Sequence, residues 1–327
     1  MRARRVIAWL VLGPLPLWVA LLLAMTPGLA LAIRLALLGA LGAGLVLTWR
    51  VVPSRWRQPA LLGAPIVFAV AWLVSVRPSG GRPWIAGQER APRVTFAGDI
   101  ATIENVRHAD WRSAADVDMR WETRRYDLRA LRTVDLVIEP FDDWRGMAHI
   151  FVTFGFAGGE HVALSIESRR EVGESYAPLR GLFRHYELLY IIGDERDLIG
   201  LRANIRRDPT YVFPTRATPE EARALFVAMI TRGDELGRRP EFYNTLTSTC
   251  ATGLLRHVNE VRTRKVSALD WRILFPGYAD ELAWDLGLLE MGGTLEEARA
   301  RYLINERSAF DPGLDGPSWS RKIRGAD

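Results

Sequence analysis

Three long apolar runs open the chain: Val6–Met25, Leu29–Trp49 and Pro59–Val76. Each is near the roughly 20 residues that a helix needs to cross the hydrocarbon of a bilayer. Pro14, Pro16 and Pro65 would break a helix in water, but in a membrane neighbouring helices satisfy the freed carbonyls. Trp9, Trp49, Trp56 and Trp72 fall near the ends of the runs, where interfacial aromatics gather. Arg34 can snorkel to the same interface.

The pattern then changes. Arg77–Pro92 is rich in Gly, Pro and Arg and reads as a linker. Beyond Arg93 the apolar positions fall in short runs rich in β-branched and aromatic residues: Thr133–Glu139, Ile150–Phe156, Val162–Glu167 and Glu187–Gly193. These predict strands, and Ala157-Gly158-Gly159 joins the middle pair as a tight hairpin. A helical period follows. Thr218-Pro219-Glu220-Glu221 supplies an N-cap, a first-turn proline and a capping-box Glu ahead of Ala222, Leu225, Phe226, Met229 and Ile230, with Gly237 as the stop. A second helix starts around Thr249-Cys250 and runs through Leu254, Leu255 and Val258. Strands followed by helices predict an α+β domain with an antiparallel sheet. The chain thus divides into an anchor (1–77), a linker (78–92) and a domain (93–327).

With 327 residues, 49% of them hydrophobic, and a net charge of +5, composition alone would admit a nucleic-acid binder. The distribution of charge excludes it. Residues 1–77 hold Arg2, Arg4, Arg5, Arg34, Arg50, Arg55, Arg57 and Arg77 and no acidic residue, which leaves 35 basic and 38 acidic residues in the remainder. Such a remainder lacks the basic excess of a phosphate-binding surface. The arginines instead set topology. Arg2, Arg4 and Arg5 precede the first run, and Arg50, Arg55 and Arg57 fill the loop before the third, while Thr26-Pro27-Gly28 carries no charge. By the positive-inside rule the N-terminus is cytoplasmic, and three spans put the domain on the outer side. A signal peptide cleaved near Ala30-Leu31-Ala32 is the alternative, but it leaves two further apolar runs unexplained.

Cys250 is the single cysteine, so no intramolecular disulfide or multi-cysteine metal site can form. The chain has no HExxH motif, no G-x-S-x-G elbow and no phosphate loop, and neither metal nor cofactor is expected. Cys250 follows the polar run Tyr243–Thr249 and begins an apolar helical pattern. There the positive end of the helix dipole stabilises a thiolate, although a buried cysteine also serves as a small hydrophobe. His149 directly precedes the strand Ile150–Phe156, and His161 opens the returning strand. With the turn centred on Gly158, position 149 lies opposite Glu167 on one face. A base and its orienter can therefore come from one hairpin, with His161 as the alternative third residue. The charged runs Arg169–Glu174 and Asp194–Asp197 read as solvated networks.

Several motifs in order add to this reading: Ile103-Glu104-Asn105-Val106-Arg107, Arg120-Trp121-Glu122, Tyr126-Asp127-Leu128, Ala148–Phe154, His161–Arg169, Gly181–Leu188, Asp194–Asp197 and Tyr243–Leu246 leading to Cys250. Over roughly Asp99 to His257 the chain resembles bacterial envelope proteins that carry the Lnb N-terminal periplasmic domain. That family is similar to circularly permuted papain-like folds, such as the lecithin:retinol acyltransferase group, in which the histidine strand precedes the cysteine helix. Behind the three N-terminal transmembrane helices read from the apolar runs, the resemblance implies a permuted papain-like α+β domain, with Cys250 as nucleophile and His149 as base. Glu167 as orienter comes from the hairpin register. The implied activity is lipoprotein N-acylation at the outer face of the bacterial inner membrane. An acyl chain would pass from a membrane phospholipid through a Cys250 thioester to a lipoprotein N-terminal amine. Two other classes fit the same residues. One is a cysteine peptidase or amidase acting on envelope peptides or peptidoglycan; the other is a non-catalytic assembly or lipid-binding protein with a structural Cys250.

Overall fold

The structure, a computed structural model, describes residues 14–26, 30–114, 116–141, 143–309, 311 and 314–325. It divides into two compact units. The first comprises residues up to Ser79 together with Tyr176–Tyr186 and Phe242–Thr245. The second comprises Gly80–Ser175, Glu187–Glu241 and Leu246–Asp327.

The first unit is built on helices Pro14–Met25, Leu31–Val51 and Ser54–Ser75. Val19, Leu22, Leu23, Trp72 and Phe183 form its core. Arg34 does more than snorkel: it donates to the carbonyls of Ala24 and Thr26 (3.0 and 2.9 Å), which the end of the first helix leaves open. Arg184 likewise donates to Leu73 and Val76 carbonyls at the end of the third. Among the described residues two helices, Leu31–Val51 and Ser54–Ser75, are long and apolar enough to cross a membrane. This corrects the expectation of three. The first run contributes a helix of 12 described residues, Pro14–Met25, and the rest of it lies outside the described residues.

The second unit is α+β. Its strands are β1 (Arg93–Ala97), β2 (Ile100–Trp111), β3 (Val117–Asp127), β4 (Leu131–Pro140), β5 (Ala148–Phe156), β6 (His161–Arg169), β7 (Glu187–Asp194) and β8 (Tyr211–Pro214). They form one sheet in the order β1-β2-β7-β6-β5-β4-β8, with β3 paired to β2. The sheet is mixed rather than antiparallel, because β2 meets β7 in parallel through Arg107 and Gly193. Gly193 permits that approach, since a Cβ there would lie 3.0 Å from the Arg107 carbonyl.

Strand alternation gives the sheet two buried faces. On one, Phe154 and Phe156 pack against Phe226 of the helix Pro219–Arg238, and Ile166 lies under Gly253 of the helix Cys250–Val261. On the other, Val137, Phe151, Ala163 and Ile191 cluster with Leu198, Ile199 and the fully buried Trp319. The C-terminal residues therefore belong to the core. The stretch expected as a linker is also held to this unit: Arg169 donates to the carbonyls of Gln88 and Glu89, both at 2.7 Å, and Trp84 bridges to Glu171.

Candidate active site

Cys250 is the first residue of its helix, and the sequence fixes that start. Thr249 is extended and accepts the Thr252 N–H (3.1 Å), while the Thr252 hydroxyl accepts the Thr249 N–H (2.7 Å). This reciprocal cap satisfies two donors. A helix start leaves the N–H groups of Cys250 and Ala251 without intrahelical acceptors. The thiol is unpaired and buried, 8% exposed.

His149 enters on β5, paired with Glu139 of β4. The β5–β6 ladder runs from Gly155↔His161 to Val152↔Leu164, a register that carries 149 opposite 167. Past the ladder the strands are joined through side chains. His149 Nε2 lies 3.2 Å from Glu167 Oε1 and 2.7 Å from Ser165 Oγ, and Ser165 donates to Glu167 at 2.6 Å. A hydroxyl that donates to the carboxylate accepts from the ring, so Nε2 carries a proton. Nδ1 is then the nitrogen left to face the Cys250 sulfur, which is one of the groups that raise the imidazole's pKa. Burial alone would push His149 down, but the Glu167 carboxylate and the Cys250 sulfur overcome it and hold its pKa up at about 10. Burial would raise the Glu167 carboxyl, yet His149, Arg202 and Ser165 keep it well below the usual carboxylate range.

Behind this group lies a buried ion network. Arg202 donates to Glu167 (2.9 Å) and Glu139 (2.6 Å), and its guanidinium covers the Phe151 ring. Arg206 reaches the second oxygen of Glu139 at 3.1 Å. Both arginines come from a π-helical turn, Leu201–Arg206, that continues the helix Glu195–Gly200. Such turns redirect side chains that a regular helix would point elsewhere.

The structure brings Cys250, His149 and Glu167 together and leaves His161 apart. His161 pairs with Gly155, six residues along β5 from His149, or roughly 20 Å. Its ring bonds the Gly159 carbonyl and faces the charges of Asp135 and Glu195. His108, His185 and His257 have other partners: Arg124, the Met25 carbonyl and Tyr190, respectively. Among the described residues no group of three or more His, Cys, Asp or Glu side chains could hold a metal.

Sequence reasoning missed Ser165, Glu139 and Arg202. Ser165 shares the Glu167 face by strand alternation and was detectable; Arg202 carries no local signal. The acidic run Asp194–Asp197 is not a solvated network. Glu195 is buried against Arg324, and Asp197 is buried against Arg107 and Trp111.

On the face of the sheet that carries the Cys250 helix lies an apolar cavity of about 150 Å³. Ile150 and Ala251, each the next residue after a member of the Cys–His pair, line it, with Val152, Leu254, Leu255 and Val258. Residues 118–277 match the family model of the Lnb N-terminal periplasmic domain. That match supports the family and spans the whole Cys–His–Glu group. The motif Ile103–Arg107, counted toward the same resemblance, falls upstream of it. Among curated proteins and among solved structures, nothing matches the chain.

Proposed function

We propose that this protein is a thiol acyltransferase of the bacterial envelope, with Cys250 as nucleophile, His149 as base and Glu167 as the residue that orients His149. The observation that carries the reading is the buried group itself: a helix-start thiol on an imidazole whose far nitrogen is held by Ser165 and Glu167. The Lnb family match and the two apolar helices support a membrane-anchored protein with a periplasmic domain, beside its lipid donor. Anchoring raises the effective concentration of lipid at the thiol without any new contact.

In the proposed reaction the Cys250 proton passes to His149 Nδ1, and the thiolate attacks the ester carbonyl of a phospholipid. The N–H groups of Cys250 and Ala251 stabilise the oxyanion. The intermediate collapses to a thioester as His149 returns the proton to the departing lysophospholipid oxygen. A lipoprotein N-terminal amine then attacks the thioester, His149 removes its proton and gives it to the departing sulfur, and an amide remains. Glu167 and Ser165 fix the ring so that Nδ1 faces sulfur throughout. The apolar cavity under the Cys250 helix, lined by Ala251, favours this reading over a peptidase, since a peptide laid there would leave its amides without partners.

The test is the mass of Cys250 after incubation with phospholipid. The reading requires a hydroxylamine-labile fatty-acyl adduct that a diacylated lipopeptide discharges and that is absent from Cys250→Ala. Cys250-dependent cleavage of envelope peptides without an acyl adduct would establish hydrolysis instead.

A further inference from the structure

The loop Tyr176–Tyr186 belongs to the first compact unit, where it docks on the ends of two apolar helices. Pro14–Met25 and Ser54–Ser75 finish side by side, since Trp72 Nε1 donates to Thr26 Oγ1 at 2.8 Å. This is the end of Ser54–Ser75 remote from Arg50, Arg55 and Arg57, the end that the positive-inside rule expects outside. The loop closes it. His185 Nδ1 lies 3.0 Å from the Met25 carbonyl, and Arg184 donates to the Leu73 and Val76 carbonyls while its guanidinium covers the Trp72 and Phe242 rings. Arg184 is held at φ 54°, a left-handed conformation that a residue with a Cβ keeps only where its contacts enforce it.

The docking leaves apolar side chains on the outside. Phe183 shares a core with Leu22, Leu23 and Trp72, all within three residues, or roughly 4.5 Å, of their helix ends. The loop therefore reaches a depth at which the helices are still apolar. Leu182, the neighbour of Phe183, is 37% exposed, and Leu179 is 47% exposed. The Leu182 N–H donates to the Leu179 carbonyl, so the two side chains share one face of a turn. Gly181 lies instead against Thr245, whose hydroxyl a side chain there would strike and which donates to the Pro178 carbonyl at 2.6 Å. Tyr176–Tyr186 carries Arg180 and Arg184 and no acidic residue. Exposed leucines beside cations at the ends of apolar helices match a phospholipid surface, with hydrocarbon under the leucines and phosphates beside the guanidiniums. A soluble protein would have to displace lipid to reach Leu182. We propose that Tyr176–Tyr186 is a membrane-interface loop that inserts Leu179 and Leu182 among the lipids of the adjoining leaflet, and that the lipid donor enters there. The membrane contact stands by itself. Donor entry rests on the acyltransferase reading, through Thr245, which the loop holds and which precedes Cys250 by five residues in the chain.

The experiment uses the full-length protein in nanodiscs that contain phosphatidylglycerol. In a Cys250→Ser background, Leu179→Cys, Leu182→Cys and the exposed control Glu296→Cys each carry an environment-sensitive fluorophore. Nitroxide-labelled phospholipid should quench both loop positions and spare the control. Loop labels that emit as in water, or that are shielded yet unquenched because protein covers them, would overturn the proposal. Donor entry is read with Cys250 restored. Leu179→Glu/Leu182→Glu should lower Cys250 acylation from bilayer phospholipid, relative to acylation by soluble p-nitrophenyl butyrate, by about tenfold or more, the scale of withdrawing one leucine from hydrocarbon. An unchanged ratio with a wild-type melting profile would overturn donor entry at this loop. Should that variant fail to fold, Leu179→Ser/Leu182→Ser reads the same ratio. No adduct from either ester on the wild type would overturn the acyltransferase reading, and quenching would still decide the loop.

Discussion

His149 Nε2 and Glu167 Oε1 lie 3.2 Å apart at the point where the β5–β6 ladder has ended, so the two strands are held together there by side chains. The pairing does two things. It fixes the ring, and its negative charge helps carry His149 to about 10 against the cost of burial.

Glu167→Gln keeps the shape and removes the charge. The imidazolium then loses the largest of its favourable partners, and its pKa should fall from about 10 toward the ordinary histidine range. The pH dependence of Cys250 alkylation by iodoacetamide reads this directly, as an inflection displaced to lower pH. Activity should fall by on the order of 10²–10⁴-fold, less than in Cys250→Ala, because an orienter tunes the base whereas Cys250→Ala removes the bond-forming atom. An inflection that does not move would show that Glu167 is not the partner that charges His149.

The same pair makes stability depend on pH in a defined sense. His149 has a raised folded pKa, so its contribution is complete below the ordinary value of 6.5 and is lost as pH rises through about 10. Glu167 is lowered, so its contribution is present above 4.5 and is lost as pH falls below that value. Urea melts should therefore show wild type losing stability from pH 6.5 upward, with a shallower loss in His149→Gln. Parallel curves for the two proteins would contradict the assignment.

What the sequence disclosed tracks the range over which each feature is encoded. β4 to β7 are apolar on both faces and read as strands from composition alone, and the hairpin register followed from one glycine turn. β3 was illegible because it buries little beyond Tyr126 and carries charge along its length. The mixed sheet rests on one parallel contact between residues 86 positions apart, which no local pattern announces. Charge was misread for a similar reason. Glu195 and Asp197 look solvated in a polar run, but their arginines lie 129 and 90 residues away. The cysteine and histidine were legible as candidates, whereas the ion network behind them was not.

Topology can be counted as well as oriented. If the positive-inside rule holds here, the arginines before the first run and around Val52 belong on the cytoplasmic side, and a fusion tests it. Two spans would return the chain to the side where it began, and three would deliver the second unit outside. A phosphatase fusion active only outside the cytoplasm should be silent after Arg55 and active after Asp327. Silence at both positions would mean that Ser54–Ser75 does not cross, activity after Arg55 with silence after Asp327 would mean that Val6–Met25 does not cross, and either result would place the Cys–His pair away from the envelope substrates proposed for it.

Arg202 gives the sharpest test of the network behind the site. It is buried between two carboxylates, at 2.6 Å from Glu139 and 2.9 Å from Glu167. Removing one member of a buried ion pair costs roughly 3–5 kcal/mol, because the partner charge stays behind without compensation. Arg202→Met should therefore lower the urea midpoint by an amount of that order. It should also free Glu167 from one of the groups that holds its carboxyl low. Glu139→Gln added to Arg202→Met removes one stranded charge and should restore part of the stability, while leaving Glu167 and the activity defect as they were. Full recovery of activity in the double variant would mean that Arg202 acts on the site through folding alone. Recovery of stability without activity would mark it as the residue that positions Glu167 beneath His149.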